Sequence, residues 1–446
     1  MARHPLATLR NSLGLSHPGY AQLVARTHEQ LGSGRMAARR EKISRWESGR
    51  SVPELTAQLA MAHIHQVDTE DVLRLGWPNW LLLATGDEAL LDRPWTVAGA
   101  VDALTSTSRS TSEPSRLAVT GPVLRAQVQA ALGALQAGPG AWTRRGRHVG
   151  EEAVSWIEAR VTNIEGLEAG TSIPQAVLFA SARAEYQLAA DLLTGYGYDA
   201  VTGRRLLLLA ARSATLCVWL SGALGEELRA ERYALAALRA AVAAGEGRHT
   251  AAYLALLAIR HLRRGDPNDA LALLRAARVA VPRPTPRLAI VLRTREARAV
   301  ARLGDRTSTL RSLGQASRAL DVASPSWNPE SDPTCGNVDQ EYFTLALGHA
   351  MLRLGRPKQA LVHYDVLLGD GTEPHRPPSP HLAARLRPVV EAQLAVGDVA
   401  AAADTVARAV AHAGRLPPGL ADGFRRQMLP HAEHRGVAVL LDRLAA

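Results

Sequence analysis

Between Arg35 and Arg50 the chain sets Arg39, Arg40, Lys42 and Arg45 around two apolar residues, Ile43 and Trp46. On a helix, residues three apart share a face, so Ile43 and Trp46 can be buried together while the cations lie off that face. A short helix with an apolar underside and a cationic outside suits a DNA groove. It brings charge to phosphate oxygens and forked guanidinium donors to base edges. The pattern predicts one short helix within Arg35–Arg50. Gly49 fits the left-handed position just past its end, and Pro53 stops any continuation.

Several further helices are needed to hold that segment in place. Residues 5–13 put Leu6, Leu9 and Leu13 on one side. Ser16 is a good N-cap and Pro18 fits the first turn of a second helix. That helix is expected to turn Tyr20, Leu23, Val24 and Leu31 inward before Gly32-Ser33-Gly34 breaks it. After Pro53, Leu55, Leu59 and Ala62 continue a helix. Another, from Val67 to Leu75, is opened by Asp68 or Thr69 and ended by Gly76-Trp77-Pro78. Trp80 to Ala84 closes a small domain of about five helices.

Two blocks, Leu9–Ser16 and Ile43–Arg50 with Pro53, resemble in the right order the helix-turn-helix of the XRE/Cro repressor family. The chain departs from the common pattern by carrying about a dozen extra residues, roughly Arg26 to Met36, between helix two and the recognition helix. That long form looks like a subgroup of actinobacterial regulators. The resemblance implies that Arg40, Glu41 and Arg45 meet bases, with Arg pairing to guanine and Glu accepting from cytosine N4. It implies phosphate or register contacts for Ser16, His17, Arg39, Lys42, Ser44 and Arg50. Trp46 is read as core, and Glu47 as a residue that orients Arg side chains or caps locally.

Charge agrees with this placement. The 446 residues carry a net charge of +10, and residues 1–60 hold nine basic residues against four acidic ones. Residues 61–100 reverse the balance, with two arginines against six acids. Hydrophobic residues make up 47% and aromatics 4%. Much of that share is Ala and Leu, which favour helix, so an all-α fold is expected. Cys217 and Cys335 are far apart with no CxxC, which reads as buried thiols in a reducing, cytoplasmic setting. Met1–Arg10 lacks the apolar core of a signal peptide. No run is read as approaching the ~18 apolar residues of a membrane span, since Leu206–Ala211 is flanked by Arg205 and Arg212.

Residues 85–150 read as a partly flexible connector. It contains a Ser/Thr-rich run from Thr105 to Ser115, one helix near Pro122–Gln136, and a basic cluster of Arg144, Arg145 and Arg147. From about 151 onward a signature recurs. Gly225, Gly265, Gly355 and Gly397 are each followed five residues later by Ala230, Ala270, Ala360 and Ala402, while Gly304 is followed by Thr309. Glycine permits a tight turn, and alanine lets the second helix of a hairpin pack close to the first. These hairpins resemble tetratricopeptide-like repeats, although the glycine spacing exceeds the usual ~34 residues. The surplus falls in loops such as Val281–Pro286, Ser324–Pro329 and Pro374–Pro380. Stacked hairpins form an α-solenoid with a concave groove.

An N-terminal XRE/Cro domain (1–84), a connector (85–150) and repeats (151–446) resemble actinobacterial XRE–tetratricopeptide regulators. The resemblance implies a lambda-repressor-like domain that binds operator DNA as a homodimer. It also implies a repeat groove that senses a peptide or small-molecule effector. Tyr186, Tyr253, Arg260, Arg295 and Trp327 are the first candidates for that groove. The alternative is a protein-interaction scaffold with a degenerate helix-turn-helix domain. No phosphate loop, HExxH or GxSxG is present, the scattered histidines have no metal spacing, and His431 and His434 read as a surface pair. Neither an enzyme nor a bound cofactor or metal is expected.

Overall fold

The computed structural model describes residues 4–65, 67–78, 80–81, 84, 90, 93–109, 117–139, 143–168, 173–324, 326, 333–336, 338–368, 380–413 and 415–445. The fold is all-α. Among the described residues there is no strand, only isolated bridges from Arg144 to Tyr198 and from His148 to Gly197. Two compact units are present. The first comprises Met1–Arg93 and Thr111–Gln129, the second Pro94–Ser110 and Ala130–Ala446.

In the first unit α1 (Pro5–Ser12), α2 (His17–Gln30), α3 (Arg40–Glu47), α4 (Leu55–Ile64) and α5 (Thr69–Leu75) enclose one core. Leu6, Tyr20, Val24, Ile43, Met61 and Trp80 are buried there. Ser16 caps α2, its Oγ accepting from the Gly19 amide. Buried polar groups are matched. The Tyr20 hydroxyl meets His65 Nε2 at 2.7 Å, and the Trp80 indole donates to Gln58 Oε1 at 3.1 Å. Leu31, expected inward, is 45% exposed, because α2 has reached its C-cap there.

The helix predicted within Arg35–Arg50 begins only at Arg40. Arg39 is extended (φ −98°, ψ 126°), and residues 31–39 form a loop instead. That loop has local order. Gly32 and Gly34 take φ +74° and +86°, and His28 Nδ1 lies 2.9 Å from the Gly34 carbonyl. Met36 packs against the core. At the far end Gly49 takes φ +69° and the Arg50 amide donates to the Arg45 carbonyl, closing α3 as expected.

In the second unit, α6 (Val97–Arg109) packs against α9 (Gln175–Gly195) and α11 (Glu227–Ala243). The division between the units falls within α7 (Gly121–Ala137), and in the second unit α8 (Glu151–Glu168) lies against α9 and α10 (Ala200–Ala223). Sequential pairs then pack along their lengths. These are α10 with α11, α12 (Gly247–Arg264) with α13 (Pro267–Ala280), α14 (Pro286–Arg302) with α15 (Arg306–Asp321), and α16 (Gln340–Arg353) with α17 (Pro357–Leu368). After the short α18 (Pro380–Arg385) comes the pair α19 (Arg387–Ala395) and α20 (Val399–Ala413), then α21 (Pro418–Met428) and α22 (Arg435–Ala445).

The signature glycines fall in the turns that join the two helices of each pair. Gly225, Gly304, Gly355 and Gly397 have positive φ, while Gly265 is extended. The residues five positions on (Ala230, Ala270, Thr309, Ala360 and Ala402) are all fully buried. Asp266, Thr285, Asp305 and Asp339 cap the helices that follow them, each side chain accepting a backbone amide.

Among the described residues one helix, Ala200–Ala223, is long and apolar enough by length and composition to cross a membrane. Beyond Arg212 it runs uncharged to Ala223, a stretch that the flanking arginines of Leu206–Ala211 hide from a quick reading of the sequence. Neighbouring helices cover 78% of that window, so its apolar surface serves as core.

Candidate functional site

The geometry of α3 follows from Glu47. Its carboxylate accepts from Arg10 Nε at 2.6 Å and Arg10 Nη2 at 3.3 Å, and meets His17 Nε2 at 2.9 Å. Arg10, itself buried, also donates to the Leu15 carbonyl at 2.6 Å. One carboxylate thus ties the end of α3 to α1 and to the start of α2. Ile43 and Trp46 sit on the core below, 1% and 6% exposed.

At about 100° per residue, the side of α3 opposite Ile43 and Trp46 holds Glu41, Ser44, Arg45 and Ser48. All four are exposed. Arg40 is exposed at one edge of this face, its Nε 3.2 Å from Glu41 Oε1, and Lys42 is half-buried at the other. Arg39 and Arg50 are exposed beyond the two ends, as is Ser16 at the cap of α2, and His17 is half-buried beside Glu47. All nine residues assigned to this interface from sequence therefore lie on α3, its ends, or the start of α2. Sequence reading did not single out Arg10. Its signal is weak: an arginine on a short apolar helix, with its acid partner 37 residues away.

The second unit holds a cavity of about 2340 Å³ that is partly open to solvent. It is lined by α8 and by α10, α12, α14, α16 and α19, the first helices of successive pairs, together with the segments around Pro333–Asp339 and Gly419–Leu420. Backbone meets backbone at one edge of it. A methyl on Gly225 would lie 2.5 Å from the Gly419 carbonyl carbon, so the turn after α10 and the start of α21 touch only because both residues are glycine.

Of the groove candidates, Tyr253, Arg260 and Arg295 line this cavity. Tyr186 does not. It is fully buried and its hydroxyl donates to the Leu104 carbonyl at 2.8 Å, so it pins α9 to α6. Trp327 lies outside the described residues.

The cavity wall is rich in arginine. Glu227 binds both Arg260 and Arg263. Burial alone would raise its carboxyl, but the two guanidinium groups outweigh that and hold it at about 2. Burial, only partly offset by Glu227, lowers Arg260 to about 10. Burial, with Arg263 and Arg353 nearby, lowers Arg298 to about 9. His349 falls to about 3, first through burial and then through Arg298. Near the α8 end the charges are paired: Arg205 with Glu158 and Glu151, and Arg212 with Glu165. Sequence reading missed Arg298 and Arg302, although with Arg295 they recur at helical spacing on one face of α14.

Among the described residues no group of His, Cys, Asp and Glu could hold a metal ion. Comparison of the chain with protein-family models, with curated proteins and with solved structures gives no match.

Proposed function

We propose that the protein is a sequence-specific DNA-binding transcriptional regulator that works in the cytoplasm as a homodimer. In this reading the first unit is a helix-turn-helix domain of the XRE/Cro kind, with α3 as its recognition helix. The second is a solenoid of tetratricopeptide-like hairpins that dimerises and receives an effector. One observation carries the reading: α3 is fixed from below by Ile43, Trp46 and the Glu47 clamp, while Glu41, Ser44 and Arg45 are exposed on its outer side. A rigid helix with exposed cations and short polar groups matches the demands of major-groove readout. Arg40, Glu41 and Arg45 take the base contacts. Ser16, His17, Arg39, Lys42, Ser44 and Arg50 take phosphate and register.

Effector binding in the cavity would shift the population between two arrangements of the paired DNA-binding heads. The reading is tested by a polarisation titration of the full chain against duplexes from its own upstream region. Affinity is expected to fall steeply with salt, because each neutralised phosphate releases counterions. Absent or salt-insensitive binding would favour a protein-interaction scaffold with a degenerate helix-turn-helix domain.

A further inference from the structure

The charges in the cavity do not balance where α12, α14 and α16 meet. Glu227 serves both Arg260 and Arg263, and Glu391 serves Arg353. Arg295 and Arg298, on α14, have no ion-pair partner among the described residues. Arg295 is 6% exposed, and its Nη1 is buried without a hydrogen-bond partner. Arg298 Nε and Arg260 Nε are buried without partners too. Arg302, one turn on, donates to the carbonyls of His261, Leu262 and Gly265, and Asp266 acts on it electrostatically.

A buried guanidinium with idle donors is costly unless an anion meets it. Here two such groups sit on one helix face with Arg302 beside them, and Arg263 and Arg353 approach from the facing helices. The excess exceeds two positive charges, more than a single carboxylate would offset. Guanidinium forks converging from several helices suit a tetrahedral group whose oxygens accept from many directions. Tyr253, Leu216, Trp219 and Leu345 add aromatic and apolar surface to a wall that is otherwise largely polar, against which an organic body beside the anion can pack.

We infer that this cavity binds a small organic molecule carrying two or more phosphate charges, held by Arg295 and Arg298 with Arg260, Arg263 and Arg353 around it. The inference rests on the reading of the second unit as the receiving part of a regulator, and it names the chemistry of what is received.

The test is isothermal calorimetry on the full chain without DNA, using inorganic pyrophosphate, adenosine triphosphate and succinate as probes. Both phosphate probes are expected to bind saturably, one per chain, and at least about tenfold tighter than succinate. The triphosphate is expected to bind tighter than pyrophosphate, because its nucleoside packs on the apolar side chains. Arg295→Ala and Arg298→Gln should each weaken phosphate binding about tenfold or more. Arg311→Ala, an exposed arginine on α15, should leave it unchanged. Melting curves establish that the variants fold, and neither removes a partnered ion. No saturable binding of either phosphate probe would overturn the inference. So would equal or tighter binding of succinate, or unchanged affinity in both cavity variants. Any of these leaves the DNA reading standing, because that is decided by the separate salt titration.

Discussion

At the scale of single residues, Glu47 carries more than its place on an exposed helix suggests. Its carboxylate is 11% exposed and joins Arg10 and His17, which belong to different helices. Glu47→Gln keeps the shape but removes the charge that matches the buried Arg10 guanidinium. It should cost about 2–3 kcal/mol of stability, as expected for a charged hydrogen bond left half-made. Denaturant titration measures this, with a lower midpoint at unchanged slope. The same variant should weaken DNA binding without changing base preference, since Glu47 positions α3 and is not on its outer face. A variant as stable as the parent would show that the clamp is incidental.

At the scale of elements, hairpin packing depends on small residues. Gly348 lies on α16 against Tyr364 of α17, and a methyl there would fall 2.5 Å from the ring. Tyr364 is fully buried, so the ring has little room to yield. Gly348→Ala should destabilise by about 1–3 kcal/mol through overpacking, despite alanine's better helix propensity. A raised melting temperature would refute this close fit. Much at this scale was legible in sequence. The recurring glycines mark turns, the alanines five residues on are buried, and Ser16, Gly49 and the Ile43–Trp46 pair fall where propensity puts them. Local geometry governs all of these. The start of α3 was not legible, because nothing in Arg35–Ala38 opposes helix by propensity, and the His28–Gly34 loop contact that replaces it is not local to those residues. Nor was the cavity. Arg263, Arg298 and Arg353 come from three helices far apart in sequence, and in an arginine-rich chain their convergence leaves no mark.

At the scale of the whole molecule, buried titratable groups set the response to acid. Burial, partly countered by Asp269, holds His261 at about 4, and His349 lies at about 3. Both folded values are below the ordinary 6.5, so as pH falls the unfolded chain takes up protons first. Their contribution is complete above pH 6.5 and is lost as pH falls towards 3. Glu227, held at about 2 against an ordinary 4.5, acts in the same direction between pH 4.5 and 2. The melting temperature should therefore drop from pH 7 to pH 5 and fall faster below pH 4.5, as followed by circular dichroism. His349→Gln should flatten the first part of that slope. A melting temperature level or rising from pH 7 to pH 5 would contradict the assignment of neutral, buried imidazoles.

The central claim is that α3 reads DNA through its exposed outer face, and Arg45 is the exposed cation on that face. The most direct measurement compares the parent and Arg45→Ala by fluorescence polarisation, on the bound upstream duplex and on a scrambled duplex of equal length. The account predicts a loss of about 1–3 kcal/mol on the specific duplex, and a much smaller change on the scrambled one. Equal losses on both duplexes, or no loss on either, would contradict it.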